Sequence, residues 1–363
     1  MFKIIISTVL IVVSVLQYGF VMAQDSTNNY LSERYIDRPL TLHKNNLEFA
    51  FSYQFGALMS IFNENGDHIN IADEGISSSN QMLNFQLTYG ITERLQVQAL
   101  LSNYSYKKTS QLVIQYGFGY TFKYINGLET SKGFFDPSIR LNYLLIGNDK
   151  KLSLSIGGGI SIPVAKYKPE SPMIDSSLLR VQNGFSSVNY VFNYRYHNGT
   201  GAPVYNLNMA LKFRPGSISG TDFSSKIIAR LYTDYYTAPA KVSTNDWQYV
   251  FDAGNPNDYT FQPLAIKQKK GDWLINRLYI DYQAYSIVSF MLGASSVIYF
   301  HGWNQTESMK IAENDVSETS LLIGAHFQAS PRLRIDQLFT LPVAGKSTES
   351  YFNCQFALIY KIF

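Results

Sequence analysis

From Leu47 onward the chain alternates. Leu47, Phe49, Phe51, Tyr53 and Phe55 are apolar, while Glu48, Ser52 and Gln54 between them are polar. Leu83, Phe85, Leu87 and Tyr89 repeat the pattern against Asn84, Gln86 and Thr88, and Leu95, Val97, Ala99 and Leu101 against Gln96, Gln98 and Ser102. Period-two alternation puts successive side chains on opposite faces of a strand, so each segment predicts a strand that is apolar on one side. Further segments of this kind are 111–124, 139–145, 152–162, 188–196, 205–213, 227–235, 278–282, 288–300, 321–327, 333–339 and 351–363. Between them lie tight turns (Gly90 to Arg94, Gly147 to Asp149, Ser330 to Arg332) and long polar connections, chiefly 63–80, 237–271 and 301–316. No helical period appears.

The expected fold is all-β: a transmembrane antiparallel up-and-down β-barrel of about fourteen strands. Single-chain bacterial barrels have an even strand count. Fourteen follows if 111–124 crosses, or if Trp247 to Asp252 crosses in its place, and twelve if neither does. The chain closes on Tyr351 to Phe363, where Phe352, Cys354, Phe356, Leu358, Tyr360 and Ile362 share one face. Such a terminal strand resembles the closing strand of bacterial outer-membrane barrels, although Phe363 falls out of phase with the apolar set. The competing architecture is a secreted β-sandwich with the same faces in a core. It predicts short turns at both ends and leaves the aromatic strand ends (Tyr89, Tyr196, Tyr235, Tyr282, Tyr360) without a reason.

Magnitude decides which face meets lipid. The polar faces carry Arg140, Arg195, Arg230, Arg277 and Arg334. An Arg at mid-depth on a lipid face costs roughly 2–4 kcal/mol, so five would cost on the order of 10–20 kcal/mol. That equals or exceeds a domain's usual stability of about 5–15 kcal/mol. The apolar faces therefore meet lipid, and the Arg, Asn and Gln faces line a lumen.

Composition agrees. The 363 residues include 27 Tyr and 24 Phe, and only 16% are charged, against about 25% usually. Mean hydropathy is nonetheless close to zero, which suits strands apolar on one side and excludes an oily helical membrane protein. A formal charge of +3 gives no footprint for nucleic acid. The single cysteine, Cys354, excludes an intrachain disulfide and a cysteine metal cluster. Residues 1–24 read as a cleaved signal peptide: Lys3, an apolar run from Ile4 to Leu16 shorter than a spanning helix, and a small-residue site at Val21 to Ala23. Residues 25–45 then form either a periplasmic tail or a segment tucked into the lumen, and 46–363 the barrel. Location in the cell outer membrane follows.

The candidate functional residues are the ionisable groups of the interior: Arg140, Arg195, Arg230, Asp234, Arg277, Asp281, His326, Arg334 and Asp336. The spacing suggests the pairs Arg230 with Asp234, Arg277 with Asp281, and Arg334 with Asp336. They serve either to brace the wall or to mark a polar track that selects a solute. His326 has no partner in the sequence and reads as structural. Gly157 to Gly159 predict a bend or a close approach within a strand. Enzyme readings find no support: the five histidines lack metal-ligand spacing, and His301 has no serine at the spacing of barrel lipid hydrolases. Catalytic residues, metal and cofactor are all expected to be absent.

Three stretches also resemble landmarks of a family: Tyr89-Gly90-Ile91-Thr92-Glu93-Arg94-Leu95, Gly133-Phe134-Phe135-Asp136-Pro137, and Leu152 to Pro163 ending Ser161-Ile162-Pro163. With Leu341 to Gly345 before the last strand, they look like the outer-membrane proteins grouped with the phenol meta-cleavage pathway channel (MetA-like). The resemblance implies a barrel that passes hydrophobic or aromatic compounds, with no catalytic residues to carry over. The expected function is passive passage of small solutes. Expected partners are outer-membrane lipid, the barrel-assembly machinery through the C-terminal strand, and a small-molecule solute. The alternative is a structural or assembly component binding partners through surface loops, with 237–271 the loop to watch.

Overall fold

The computed structural model describes residues 40–69, 71, 75–116, 121–147, 152–166, 173–180, 186–196, 198–214, 226–237, 242–251, 259–269, 271–300, 302–305, 310–312 and 315–362. The expected signal peptide and Phe363 lie outside these residues. The first ten strands are β1 (Leu47–Phe62), β2 (His68–Ile69), β3 (Ser77–Gly90), β4 (Leu95–Tyr116), β5 (Thr121–Phe134), β6 (Ser138–Ile146), β7 (Leu152–Ser161), β8 (Met173–Arg180), β9 (Ser186–Tyr196) and β10 (Val204–Phe213). They are followed by β11 (Ile227–Tyr236), β12 (Val242–Phe251), β13 (Tyr259–Lys269), β14 (Trp273–Tyr285), β15 (Val288–Tyr299), β16 (Trp303–Gln305), β17 (Lys310–Ala312), β18 (Val316–Gln328), β19 (Leu333–Lys346) and β20 (Thr348–Lys361).

Twelve of these close into a ring of antiparallel neighbours: β1, β3, β4, β6, β7, β10, β11, β14, β15, β18, β19 and β20. The closing pair is β20 on β1, running from Glu48↔Lys361 to Phe62↔Thr348. Closure leaves no unpaired edge, which a sheet within lipid requires. The twelve-strand count expected if neither doubtful segment crosses is the one realised. Segment 111–124 is not a single strand. β4 and β5 fold against each other over it, with Leu112 opposite Ile125 and Gln115 opposite Phe122. Trp247 belongs to β12, which joins β13, β16 and β17 in a separate four-stranded sheet. The 188–196 strand exists as β9, but it pairs in parallel with β5 and stands outside the ring.

The wall is inside-out relative to a soluble protein. Leu207, Leu141, Leu278, Phe290 and Leu292 are each about half exposed or more. On the opposite face of the wall, Ser153, Asn206, Arg230, Asp281 and Ser289 are buried. A soluble monomer rarely exposes a contiguous apolar patch beyond a few hundred Å², whereas here the apolar belt follows the ring from β1 to β20. Of the five aromatic strand ends, Tyr89, Tyr235, Tyr282 and Tyr360 lie near the ends of ring strands, while Tyr196 lies on β9.

The two ends of the ring differ. One end carries the short turns 91–94, 286–287 and 329–332 and receives the chain at both Leu47 and Lys361. The other carries the long connections holding β2, β5, β8, β9, β12, β13, β16 and β17. Wall height differs as well. β6, β7, β10 and β11 have nine or ten residues, about the 9–11 that just cross a bilayer. β4 has 22 and β1 has 16. At the short-turn end, Leu42 N–H donates to Gln96 Oε1 (2.8 Å) on the lumen face, and Thr41 and Leu42 are buried. Gly90 permits this crossing, since a Cβ there would lie 2.9 Å from the Leu42 carbonyl oxygen.

Candidate functional site

Eight of the nine interior candidates meet in two tiers along one side of the lumen. Nearer the short turns runs a continuous string. Arg230 Nη1 lies 3.7 Å from Asp281 Oδ2, and His326 Nε2 lies 3.7 Å from Asp281 Oδ1. His326 Nδ1 lies 2.9 Å from Asp336 Oδ1, which accepts from Arg334 Nε at 2.8 Å. The string spans β11, β14, β18 and β19 and is deeply enclosed, with Asp281 0% and Arg230 4% exposed.

The partners differ from those the spacing suggested, except for Arg334 with Asp336. Arg230 pairs with Asp281 and not with Asp234; Arg277 pairs with Asp234 and not with Asp281. Residues four apart on a strand are separated by roughly 13 Å at about 3.3 Å per residue, too far to touch. The register sets Ile228 opposite Asp281 and Tyr232 opposite Arg277. Each arginine therefore sits diagonally across from the carboxylate of the neighbouring strand, within reach of a long side chain. His326 gains its partner in the same way, since Asp336 lies directly opposite it on β19.

The second tier lies nearer the long connections. Arg140 Nη1 and Arg277 Nη1 each contact one carboxylate oxygen of Asp234 at 3.4 Å. Arg140 Nη2 donates to Tyr236 Oη at 2.7 Å, and its guanidinium carbon lies 5.6 Å from the Tyr236 ring centre. To reach β11 from β6, Arg140 crosses β7 and β10. Gly159 makes the crossing possible, because a Cβ there would lie 2.6 Å from Arg140 Cγ. This is the close approach expected of the 157–159 glycines. Above the arginines stands an aromatic ladder. Tyr236 and Trp273 stack at 5.0 Å and 11°, and Trp273 lies 6.3 Å from Tyr299. Register places the three side by side on β11, β14 and β15.

The rest of the interior is mostly neutral, apart from a Lys108–Glu349 ion pair and the buried Glu48 and Lys212. Gln54 donates to Asn353, Asn84 to Ser52, and Ser102 to Asn84, all across β1, β3, β4 and β20. Arg195 stands apart from both tiers. It is exposed and lies on β9, opposite Thr130 of β5 and outside the ring.

Two residues that sequence reasoning left without a role hold a seam in the wall. β4 pairs with β6 up to Leu100 and with β5 from Asn103 onward. The chain between the two partners is Phe135-Asp136-Pro137. The Asp136 carboxylate accepts from Ala165 N–H (2.8 Å), Thr200 N–H (2.8 Å) and Thr200 Oγ1 (2.6 Å), tying the exits of β7 and β9 to this link. Asn198 donates to the Tyr104 and Gly133 carbonyls and accepts from Ser131. Beside them a cleft of about 410 Å³ opens, lined by Leu101, Phe134, Pro137 and Val164 among others. The Phe-Asp-Pro landmark marks the link, but the sequence does not show partners that lie 29 and 64 residues away.

With the geometry in hand, the chain can be compared with solved structures. The COG4313 outer membrane channel from Pseudomonas putida F1 aligns over 89% of this chain and 97% of its own, at 13% identity and a TM-score of 0.56. In fold, this chain is similar to an outer-membrane channel. More distant barrels include the CymD monoaromatic hydrocarbon channel (10% identity, 88% of both chains, TM-score 0.45). The transport unit of the autotransporter AIDA-I from Escherichia coli is another (7%, 95% and 97%, TM-score 0.42). No protein-family model and no curated protein matches the chain. The all-β barrel implied by the turn landmarks is thus the fold observed.

Proposed function

We propose that this chain is a channel of the outer membrane through which small hydrophobic or aromatic solutes pass passively, bound on the way by interior side chains and undergoing no chemistry. The observation that carries this reading is the inverted wall. Apolar side chains cover the outside of a closed twelve-strand ring, and polar and ionic ones cover the inside. That arrangement is stable only with lipid around it, and it builds a polar route across the lipid. The CymD channel, named for monoaromatic hydrocarbons, is a distant structural neighbour and guides the choice of probe only. On this reading residues 1–24 direct export and are removed, residues 25–45 follow at the periplasmic end, and β20 is the strand that the barrel-assembly machinery engages.

The test is conductance of the refolded protein in planar bilayers, with N-terminal sequencing of the exported form to locate the cut. Steady conductance supports the channel. A correctly folded but silent barrel overturns it. One observation favours the second reading, a surface component that binds partners. Connections 237–271 and 300–315 carry a sheet of their own, β12-β13-β16-β17, whose strands pair among themselves. Deleting residues 242–269 would abolish partner capture on that reading and leave conductance intact on the first.

A further inference from the structure

The second tier of charge has features that bracing alone does not explain. Two guanidiniums share one carboxylate there, so the cluster keeps a positive excess. Arg140 Nε is buried with no hydrogen-bond acceptor among the described residues. The Arg277 side chain is 38% exposed, against 4% for Arg230 in the other tier. Asp234 thus orients both arginines without exhausting their donors. An Arg fork matches a carboxylate in geometry and charge. Immediately above lie the faces and edges of Tyr236, Trp273 and Tyr299, an apolar platform one ring in thickness that opens at the half-exposed Tyr299.

We propose that this end of the lumen is a binding site for a small aromatic carboxylate, with Arg140 and Arg277 taking the carboxylate and the Tyr236–Trp273–Tyr299 ladder taking the ring. The inference deepens the channel reading and rests on it for its biological meaning. The binding site itself does not require conduction. A neutral aromatic compound gains the ladder but leaves the guanidiniums on Asp234. Acetate gains the guanidiniums alone. Only a solute with both parts uses the whole site.

The experiment is a titration of the refolded protein in non-ionic detergent with benzoate, benzamide and acetate, read by tryptophan fluorescence. Trp273 reports the site, and Trp273→Phe identifies its share of the signal. Benzoate is expected to give a saturable change and to bind at least about tenfold more tightly than its neutral isostere benzamide, a gap of about 1.4 kcal/mol. Arg277→Met and Arg140→Met should each remove most of that preference. Equal binding of benzoate and benzamide by the unmodified protein overturns the proposal and needs no variant to fold. So does a folded Arg277→Met protein that keeps the preference. Conductance in potassium chloride separates the two readings: a conducting barrel that ignores benzoate defeats only this inference, and a silent barrel that binds benzoate defeats only the channel.

Discussion

The two tiers of interior charge use the same residue types on the same strands, yet they are built for different ends. In the string Arg230–Asp281–His326–Asp336–Arg334, acidic and basic groups alternate and no side chain is more than 19% exposed. In the cluster Arg140–Asp234–Arg277, positive charge is in excess and one arginine is well exposed. Burial makes the difference. A buried ion needs its partner, because losing one leaves a charge without water. An exposed ion can hydrate, so its partner can be exchanged for a solute. The same side chain can therefore brace at one depth and recognise at another.

The largest expected effect tests this contrast directly. Asp281→Ala strips the shared carboxylate from Arg230 and His326 and should cost about 3–5 kcal/mol, as breaking a buried pair does. Asp234→Ala removes a buried carboxylate, but it leaves Arg140 and Arg277 with side chains 21% and 38% exposed and able to hydrate, so it should cost less, about 1–3 kcal/mol. Urea unfolding of the two folded variants, followed by tryptophan fluorescence in lipid vesicles, measures both. Equal losses would mean that depth does not separate the tiers.

How much of this could be read from the chain follows from what alternation encodes. Period two fixes the face on which a residue lies, so Arg140, Arg230, Arg277 and Arg334 were assignable to the lumen without a structure. It does not encode register, so the partners of Arg230 and Arg277 were misjudged: diagonal neighbours on adjacent strands can be far apart in sequence. Nor does it say which strands join the ring. Residues 188–196 alternate as well as any wall strand, yet they pair with β5 outside it. Alternation also runs unbroken through 111–124, where the chain in fact folds back on itself. Asp136 escaped notice because its two partner residues, Ala165 and Thr200, lie 29 and 64 residues away.

That seam supplies the next prediction. Asp136→Ala frees two backbone N–H groups and one hydroxyl, all held by a charged acceptor. Hydrogen bonds to charged groups contribute roughly 1.5–3 kcal/mol each net of water; with the freed donors at half-buried loop positions that can rehydrate, the expected loss is about 2–3 kcal/mol. Loosening should be local. Protease cleavage should rise within 133–137 and 163–166, while the deeply buried string is unaffected. Cleavage spread evenly along the chain would mean that Asp136 supports the whole barrel.

A smaller effect is expected at Gly159. A methyl there would sit 2.6 Å from Arg140 Cγ and 2.7 Å from the Ile139 carbonyl oxygen. Overpacking of this kind costs about 1–3 kcal/mol. The informative result is the accompanying change in binding. If Arg140 reaches Asp234 only by lying across Gly159, then Gly159→Ala should weaken benzoate binding in the same direction as Arg140→Met. Gly158→Ala should not, because its nearest contacts, at 3.4 and 3.7 Å, are ordinary.

The smallest stability effect should fall on the residue most exposed to solute. Arg277→Met removes a guanidinium that is 38% exposed and contacts Asp234 at 3.4 Å. Solvated pairs of this kind are worth about 0–1 kcal/mol, and the Met side chain keeps most of the arginine stem against the wall. The unfolding free energy measured in urea should therefore fall by less than about 1 kcal/mol, while the ion selectivity of an open channel, read as reversal potential across a salt gradient, moves toward cations. A loss near the 3–5 kcal/mol expected for Asp281→Ala would return Arg277 to the bracing role. The excess positive charge at the long-connection end would then be a by-product of holding β6, β11 and β14 together.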